Sequence, residues 1–266
     1  MRPEAVFSLY QARERYSSVD LLEADEDSMR NYASRYVVQR PPMHFDHGSG
    51  IATIYVSGPM ALGLAPFDKC FGGLTDYAEI EADIYKALAD GASAILFAVD
   101  SPGGTVQGAY ELALIMAQLE IPTAVATRGY LASAAYKLAV GCDYIAASYS
   151  SAVGSVGAFI PWVDKTAYWA AIGLKWEPVV SDGSPLKAMM AGPGLEAEHR
   201  QFLKEQLNEA LSIFTNHIGE FRSVSADALR GQSLAGPQAL AAALVDSVSI
   251  NPEQAATEFL LSKISA

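Results

Sequence analysis

Two apolar runs constrain this chain more than any other feature. Ala94-Ile95-Leu96-Phe97-Ala98-Val99 and Thr123-Ala124-Val125-Ala126-Thr127 are short and continuous, with β-branched residues in both, as expected of strands buried on both faces. Each precedes a turn and a helix-like segment, residues 106–119 after the first and 132–140 after the second. Upstream, residues 51–57 alternate as a strand. Residues 74–90 then place Tyr77, Ile80, Ile84, Tyr85 and Leu88 at helical spacing, with Glu79, Glu81, Asp83 and Lys86 between them. Strands alternating with helices in this way imply parallel strands joined by crossovers. The expected fold class is α/β, with a parallel sheet and βα repeats. Open sheets of this kind meet their ligands at the carboxyl ends of strands, so the two turns become the candidate site.

The first turn reads Asp100-Ser101-Pro102-Gly103-Gly104-Thr105. Its glycines can adopt φ > 0 and accept a close neighbour, and unpaired amides at a strand-to-helix turn can face an anion. Taken alone, it reads first as a tight βα turn. The second turn ends in Leu131-Ala132-Ser133-Ala134-Ala135-Tyr136. It puts Ser133 where a helix begins, a common position for an N-cap serine. The pairing of the turns, one offering amides and the other a hydroxyl, makes Ser133 a candidate nucleophile. A base is then needed. The histidines are His44, His47, His199 and His217, and none sits at a strand-to-turn junction. His199 and His217 fall in a long polar helix where a solvated face is the default, which disfavours a Ser-His-Asp triad.

Lysine is the other candidate. Gly183-Ser184-Pro185-Leu186-Lys187 follows a strand-like segment, residues 174–180, and offers Lys187. Lys137, four residues after Ser133 on the same helix face, is a rival. A free lysine titrates near about 10.4 and is protonated at neutral pH. Burial can lower that value by about 3 to 5 units, enough to make a base. The apolar neighbours Pro185, Leu186, Ala188, Met189 and Met190 suit such a site.

Four pieces in order carry a family resemblance: Asp100-Ser101-Pro102-Gly103-Gly104, Ala132-Ser133-Ala134-Ala135-Tyr136, Val153-Gly154-Ser155-Val156-Gly157 and Gly183-Ser184-Pro185-Leu186-Lys187. In these the chain resembles the signal peptide peptidase A family of Ser-Lys peptidases, peptidase family S49, and within it the phage-encoded capsid maturation (prohead) proteases. The resemblance implies a Clp protease/crotonase-like superfold, Ser133 as nucleophile and Lys187 as base. It also implies Ser155 as the residue that orients the base, and oxyanion donors from the amides of Gly103 or Gly104 and of Ala134. Ala134-Ala135 stands where relatives commonly have Gly-Gly, and Gly-Ser-Pro-Leu-Lys where many have Gly-Ala-His-Lys. Neither departure removes a reacting group. The resemblance further implies a ring-like homo-oligomer, in some relatives with the base supplied by a neighbouring subunit. The substrate would be a polypeptide bound as an extended strand, with small residues at the cleavage position and capsid or scaffold proteins as candidate partners.

Composition limits the alternatives. With 266 residues, 51% of them apolar, the chain can bury a full core. A net charge of −12 argues against nucleic acid as the main partner, since phosphate binding needs clustered Lys and Arg. Two cysteines, Cys70 and Cys142, make no disulfide framework and are expected to be reduced. No metal or nucleotide motif stands out, so no metal or cofactor is expected. The N-terminus lacks the apolar run of a signal peptide, and no 18-residue apolar run follows. The expectation is a cytoplasmic protein without a membrane anchor, in a bacterial host or a phage prohead. The expected organisation is an N-terminal arm or helical extension over residues 1–48 and a peptidase domain over 49–250. A helical tail over 251–266 would be free to dock on a neighbour. Two further classes stay open: a crotonase-like acyl-thioester enzyme and a catalytically inactive assembly or scaffold protein of the same fold.

Overall fold

The computed structural model describes residues 40–64 and 73–265. The described residues divide into two compact units, one running to Val156 and resuming at Phe214, the other spanning Gly157–Ile213.

In the first unit, β1 (His44–Asp46), β2 (Ile51–Ser57), β3 (Met60–Ala61) and β4 (Thr75–Asp76) precede helix α1 (Tyr77–Ala89). Then come β5 (Ala94–Asp100), α2 (Ala109–Ala117), β6 (Thr123–Thr127), β7 (Tyr130–Ala132) and α3 (Ala134–Ala139), followed by β8 (Tyr144–Ala147) and β9 (Ala152–Gly154). In the second unit lies α4 (Thr166–Ala171). The long helix α5 (Ala197–Phe221) begins in the second unit, and its last turns, from Phe214, belong to the first. The chain closes with β10 (Ser233–Ala235), α6 (Gly236–Ala241), β11 (Ser247–Val248) and α7 (Pro252–Ile264).

The main sheet has the order β1-β2-β5-β6-β8-β11. All its pairings are parallel except β1 with β2. This is the expected α/β, Clp protease/crotonase-like architecture with βα repeats. β6 is buried along its whole length, as is β5 for most of its own. That burial explains why both read as unbroken apolar runs and not as alternating ones.

One face of the sheet is mostly alanine where it meets α7. Ile51, Ala94, Leu96, Ala124, Ala126 and Ala146 pack with Ala256 and Leu260, and all eight are buried. Tyr144 and Phe259 stack at 4.5 Å and 7°. Arg128, just beyond β6, holds the start of α7 through Glu253 (2.7 Å), Asn251 (2.6 Å) and the Ile250 carbonyl (3.2 Å). The C-terminal helix expected to dock on a neighbour therefore docks on its own sheet. The reason is that the sheet's small side chains leave a shallow apolar face that only a closely approaching helix can cover.

The boundary expected at residue 48 falls between two paired strands, because Phe45 registers with Ala52 and Asp46 with Ile51. Arg40 joins this unit too, through Asp83 (2.7 Å) and the Tyr55 carbonyl (2.9 Å). Residues 1–39 of the expected arm lie outside the described residues, as does Cys70. Cys142 is free and buried, and burial pushes its thiol up to about 12. In the unit 157–213, the strand expected over residues 174–180 does not form. That stretch has no strand partner among the described residues, and Val179 is 98% exposed. Among the described residues, no helix is long and apolar enough to cross a membrane.

Candidate active site

The site grows from the end of β5. Its hydrogen bonding does not stop at Asp100: the Ser101 N–H donates to the Tyr130 carbonyl (2.8 Å), and the Ala132 N–H donates to the Ser101 carbonyl (3.2 Å). The turn after β5 is thereby laid alongside β7. On its other side the Met60 N–H donates to the Gly103 carbonyl, and the Thr105 N–H to the Met60 carbonyl, both at 2.9 Å. Asp100 adds a bond of its own, its carboxylate accepting the Tyr130 N–H at 2.8 Å. The two turns singled out in the sequence are thus neighbours.

Ser133 follows β7 directly. Its backbone has φ 54 and ψ −124, and its side chain makes no capping bond. An N-cap serine would sit in the extended region and accept an amide hydrogen, so Ser133 is not a helix cap. Its φ lies in a region that L-residues rarely enter, at a cost of about 1–3 kcal/mol. Among the described residues, Ser133, Ser155 and Ala243 are the non-glycine positions with positive φ. Two of these three were selected from the sequence as site residues.

Ser133 and Ser155 are also linked through the second sheet, β10-β9-β7. β7 and β9 run parallel with Ala132 opposite Gly154, and the Ser133 N–H donates to the Gly154 carbonyl at 2.7 Å. Ser155, with φ 52, is the next residue of β9's chain, and its N–H donates to the Gln232 carbonyl at 2.8 Å. Two strained serines thus leave the ends of paired strands side by side.

Gly103 is pressed onto this arrangement. It has φ 103, and a methyl there would stand 2.7 Å from Ser133 Cβ, 2.8 Å from the Ala132 oxygen and 2.9 Å from the Ala134 nitrogen. Its buried N–H is held by Ser101 Oγ at 3.2 Å. Gly104, by contrast, is exposed. Among the described residues, neither the Gly104 N–H nor the Ala134 N–H has an acceptor. Ala134 is the first residue of α3, whose N–H has no partner within the helix. The structure therefore brings together Ser133, Ala134, Gly103, Gly104 and Ser155.

Lys187 belongs to the other unit, 157–213, in a short 3₁₀ turn over Pro185–Ala188 that has no buried residue. It is exposed, so its apolar neighbours do not enclose it within this chain. Lys137, the rival base, is buried at 5% exposure. Its ammonium lies over the rings of Phe214 (4.9 Å) and Tyr110 (5.3 Å), and its bond to Ser133 is a main-chain one, the Lys137 N–H donating to the Ser133 carbonyl at 3.0 Å. Burial holds its pKa below the ordinary lysine value, opposed in part by Glu111.

His217, expected on a solvated face, is buried beside Lys137, with Tyr110 and Phe221 edge-on to its ring at 5.7 and 5.2 Å. The last turns of α5 lose their polar character to solvent because they pack on α2 and α3, which periodicity in a polar helix does not reveal. Burial lowers the His217 pKa; Glu220, 3.7 Å away, opposes the shift, and the Lys137 charge adds to it. The unfolded chain therefore takes up this proton first as pH falls below about 6.5. Stability that is full above that pH is lost as pH drops through the lower folded value. Thermal melts between pH 7.5 and 5 should show a falling melting temperature for the wild type and a shallower fall for His217→Gln. Equal slopes would show that His217 carries none of the effect.

Sequence reasoning passed over Gln232 and the Gly154 carbonyl, which hold Ser155 and Ser133 in place. Both act through main-chain oxygens, which leave no signature in side-chain type.

The family model for peptidase family S49 matches residues 116–260. The chain belongs to peptidase family S49. It is 28% identical over 221 residues to the head-tail preconnector protein GP5 of Enterobacteria phage P21, covering 79% of this chain and 43% of that protein. It is 28% identical over 170 residues to the putative protease MJ0651 of Methanocaldococcus jannaschii, covering 60% and 53%. To the putative signal peptide peptidase SppA of Enterococcus faecium it is 27% identical over 188 residues, covering 68% and 52%. The chain thus spans about half the length of the curated relatives it matches. Among solved structures, it is similar to a mutant of the 1510-N membrane-bound stomatin-specific protease in complex with a substrate peptide. There the TM-score is 0.41 at 16% identity, covering 76% of this chain and 78% of the other.

Proposed function

We propose that the chain is a serine endopeptidase in which Ser133 is the nucleophile and Lys187 the general base. The observation that carries this is the backbone of Ser133. A serine strained to φ 54, making no cap bond and set against Gly103, is held where its hydroxyl serves no structural purpose. Ser133 Oγ attacks the peptide carbonyl carbon while neutral Lys187 Nζ takes its proton. That proton passes to the leaving amine, and the acyl-enzyme ester remains. Water then attacks the ester, Lys187 takes a proton from it, and Ser133 Oγ recovers one as the acid product leaves. The Gly104 and Ala134 amides are the donors to the oxyanion, and Ser155 orients the lysine.

Lys187 is exposed in the single chain, so its activation as a base calls for a homo-oligomer in which a contact between chains covers it. Family membership and the preconnector relative favour a phage or prophage capsid maturation role. Capsid or scaffold polypeptides would then be bound as extended strands, in the host cytoplasm or the prohead.

The test is incubation of the purified protein with an unfolded polypeptide and with candidate capsid and scaffold proteins, followed by acid quench and mass spectrometry. New chain ends after small residues, together with an N-terminal fragment esterified to Ser133, are expected. Absence of cleavage, or an ester on another residue, would overturn the assignment.

A further inference from the structure

Ser101 has no role in the chemistry above, yet it is 0% exposed and bonded on every side. Its N–H and carbonyl pair with Tyr130 and Ala132, the two residues flanking Leu131 on the strand that delivers Ser133. Its hydroxyl donates to the Gly58 carbonyl at 2.6 Å and accepts the Gly103 N–H at 3.2 Å. One residue thus joins three pieces of backbone: the turn after β2 and the Pro-Gly-Gly turn through its side chain, and the approach to the nucleophile through its main chain.

We infer that Ser101 is a positioning residue for the oxyanion site. By taking the Gly103 N–H it fixes the peptide plane before Gly103 and leaves the next amide, that of Gly104, as the turn's open donor. This inference rests on the serine peptidase assignment and deepens it. Without the hydroxyl, a buried Gly103 N–H loses its acceptor and is free to turn toward another one, carrying the Gly104 amide with it. Removing an oxyanion donor costs about 10²- to 10³-fold in kcat, and misplacing one by about 1 Å costs a comparable lower amount.

Ser151 supplies the control. It is also 0% exposed, and its hydroxyl likewise donates to a backbone carbonyl, that of Thr127, at 3.0 Å and accepts a backbone N–H, that of Ser148, at 3.1 Å, with no bond to the Pro-Gly-Gly turn. Ser101→Ala and Ser151→Ala should both lower the melting temperature. Only Ser101→Ala should lower kcat, by about 10- to 100-fold, with KM within about twofold of wild type. It should also weaken inhibition by a peptide aldehyde, which forms a tetrahedral oxyanion, more than it weakens binding of the matching uncleaved peptide to a Ser133→Ala background. Ser101→Cys, which replaces the hydroxyl with a weaker acceptor and donor, should fall between wild type and Ser101→Ala and serves if the alanine variant does not fold. Equal kcat for the Ser101 and Ser151 variants, or equal weakening of aldehyde and peptide, would overturn the positioning role. A wild-type protein that cleaves nothing would instead defeat the peptidase assignment, and this inference with it.

Discussion

Alanine at position 133 is expected to lower peptide cleavage by about 10³-fold or more, since removal of a serine nucleophile leaves only what binding and the oxyanion donors supply. Lys187→Ala should lower it to a similar level, and the double variant should be little worse than either single one, because the two groups act as one unit. A loss confined to Ser133→Ala would assign the base elsewhere. Ser133→Gly separates chemistry from strain. Glycine enters φ 54, ψ −124 without the penalty that serine bears there. It should therefore be as inactive as alanine while unfolding at a higher temperature, with a gain of about 1 kcal/mol. Few substitutions at a buried turn stabilise a protein. If Ser133→Gly melts at or below the temperature of Ser133→Ala, the strain at this position is not stored for function.

Gly104→Ala should be nearly as damaging to activity. A methyl on Gly104 would stand 1.9 Å from the Met60 oxygen and 2.6 Å from the Met60 carbonyl carbon. These are main-chain atoms, and the same oxygen accepts the Thr105 N–H, so no side-chain rotation relieves the overlap. The turn must move away from Met60 and take the Gly104 amide with it. A loss of about 10²-fold or more in kcat is expected, with a destabilisation of about 1–3 kcal/mol typical of overpacking. Gly219→Ala, where a methyl meets nothing within 4 Å on helix α5, should leave activity unchanged and raise stability slightly. Steady-state kinetics and thermal melts on the two variants side by side decide the matter. Wild-type kcat in Gly104→Ala would remove this turn from the oxyanion site.

Much of the fold was legible because its periodicities are local. β6 occupies the residues expected of it, Thr123–Thr127, and β5 those expected plus Asp100. α1 and α2 fall within the segments where apolar spacing placed them, shortened by three residues at their starts and by one or two at their ends. Legibility failed where burial depends on a distant partner. His217 looked solvated because its helix is polar over most of its length, and only the packing of that helix's last turns on α2 and α3 buries it. Residues 174–180 looked like a strand, but a strand needs a neighbour to satisfy its backbone, and none is paired with it among the described residues.

The candidate site divides along the same line. Residue types and their order marked Ser133, Gly103 and Gly104, because a hydroxyl at a helix start and glycines after a buried strand are visible in the chain as written, and the family resemblance added Ala134 and Ser155. What only the tertiary structure decided is which of these groups are available. Pairing of residue 101 with the strand before Ser133 makes the two turns neighbours. The bond from Gly103 to Ser101 occupies one amide and leaves the next one open. The strained φ of Ser133 distinguishes a presented hydroxyl from a helix cap. Sequence determines which groups a turn contains, whereas the backbone partners that hold Ser133, Ser155 and Ser101, among them Gly154, Gln232, Tyr130 and Gly58, come from distant segments that meet only when the sheet forms.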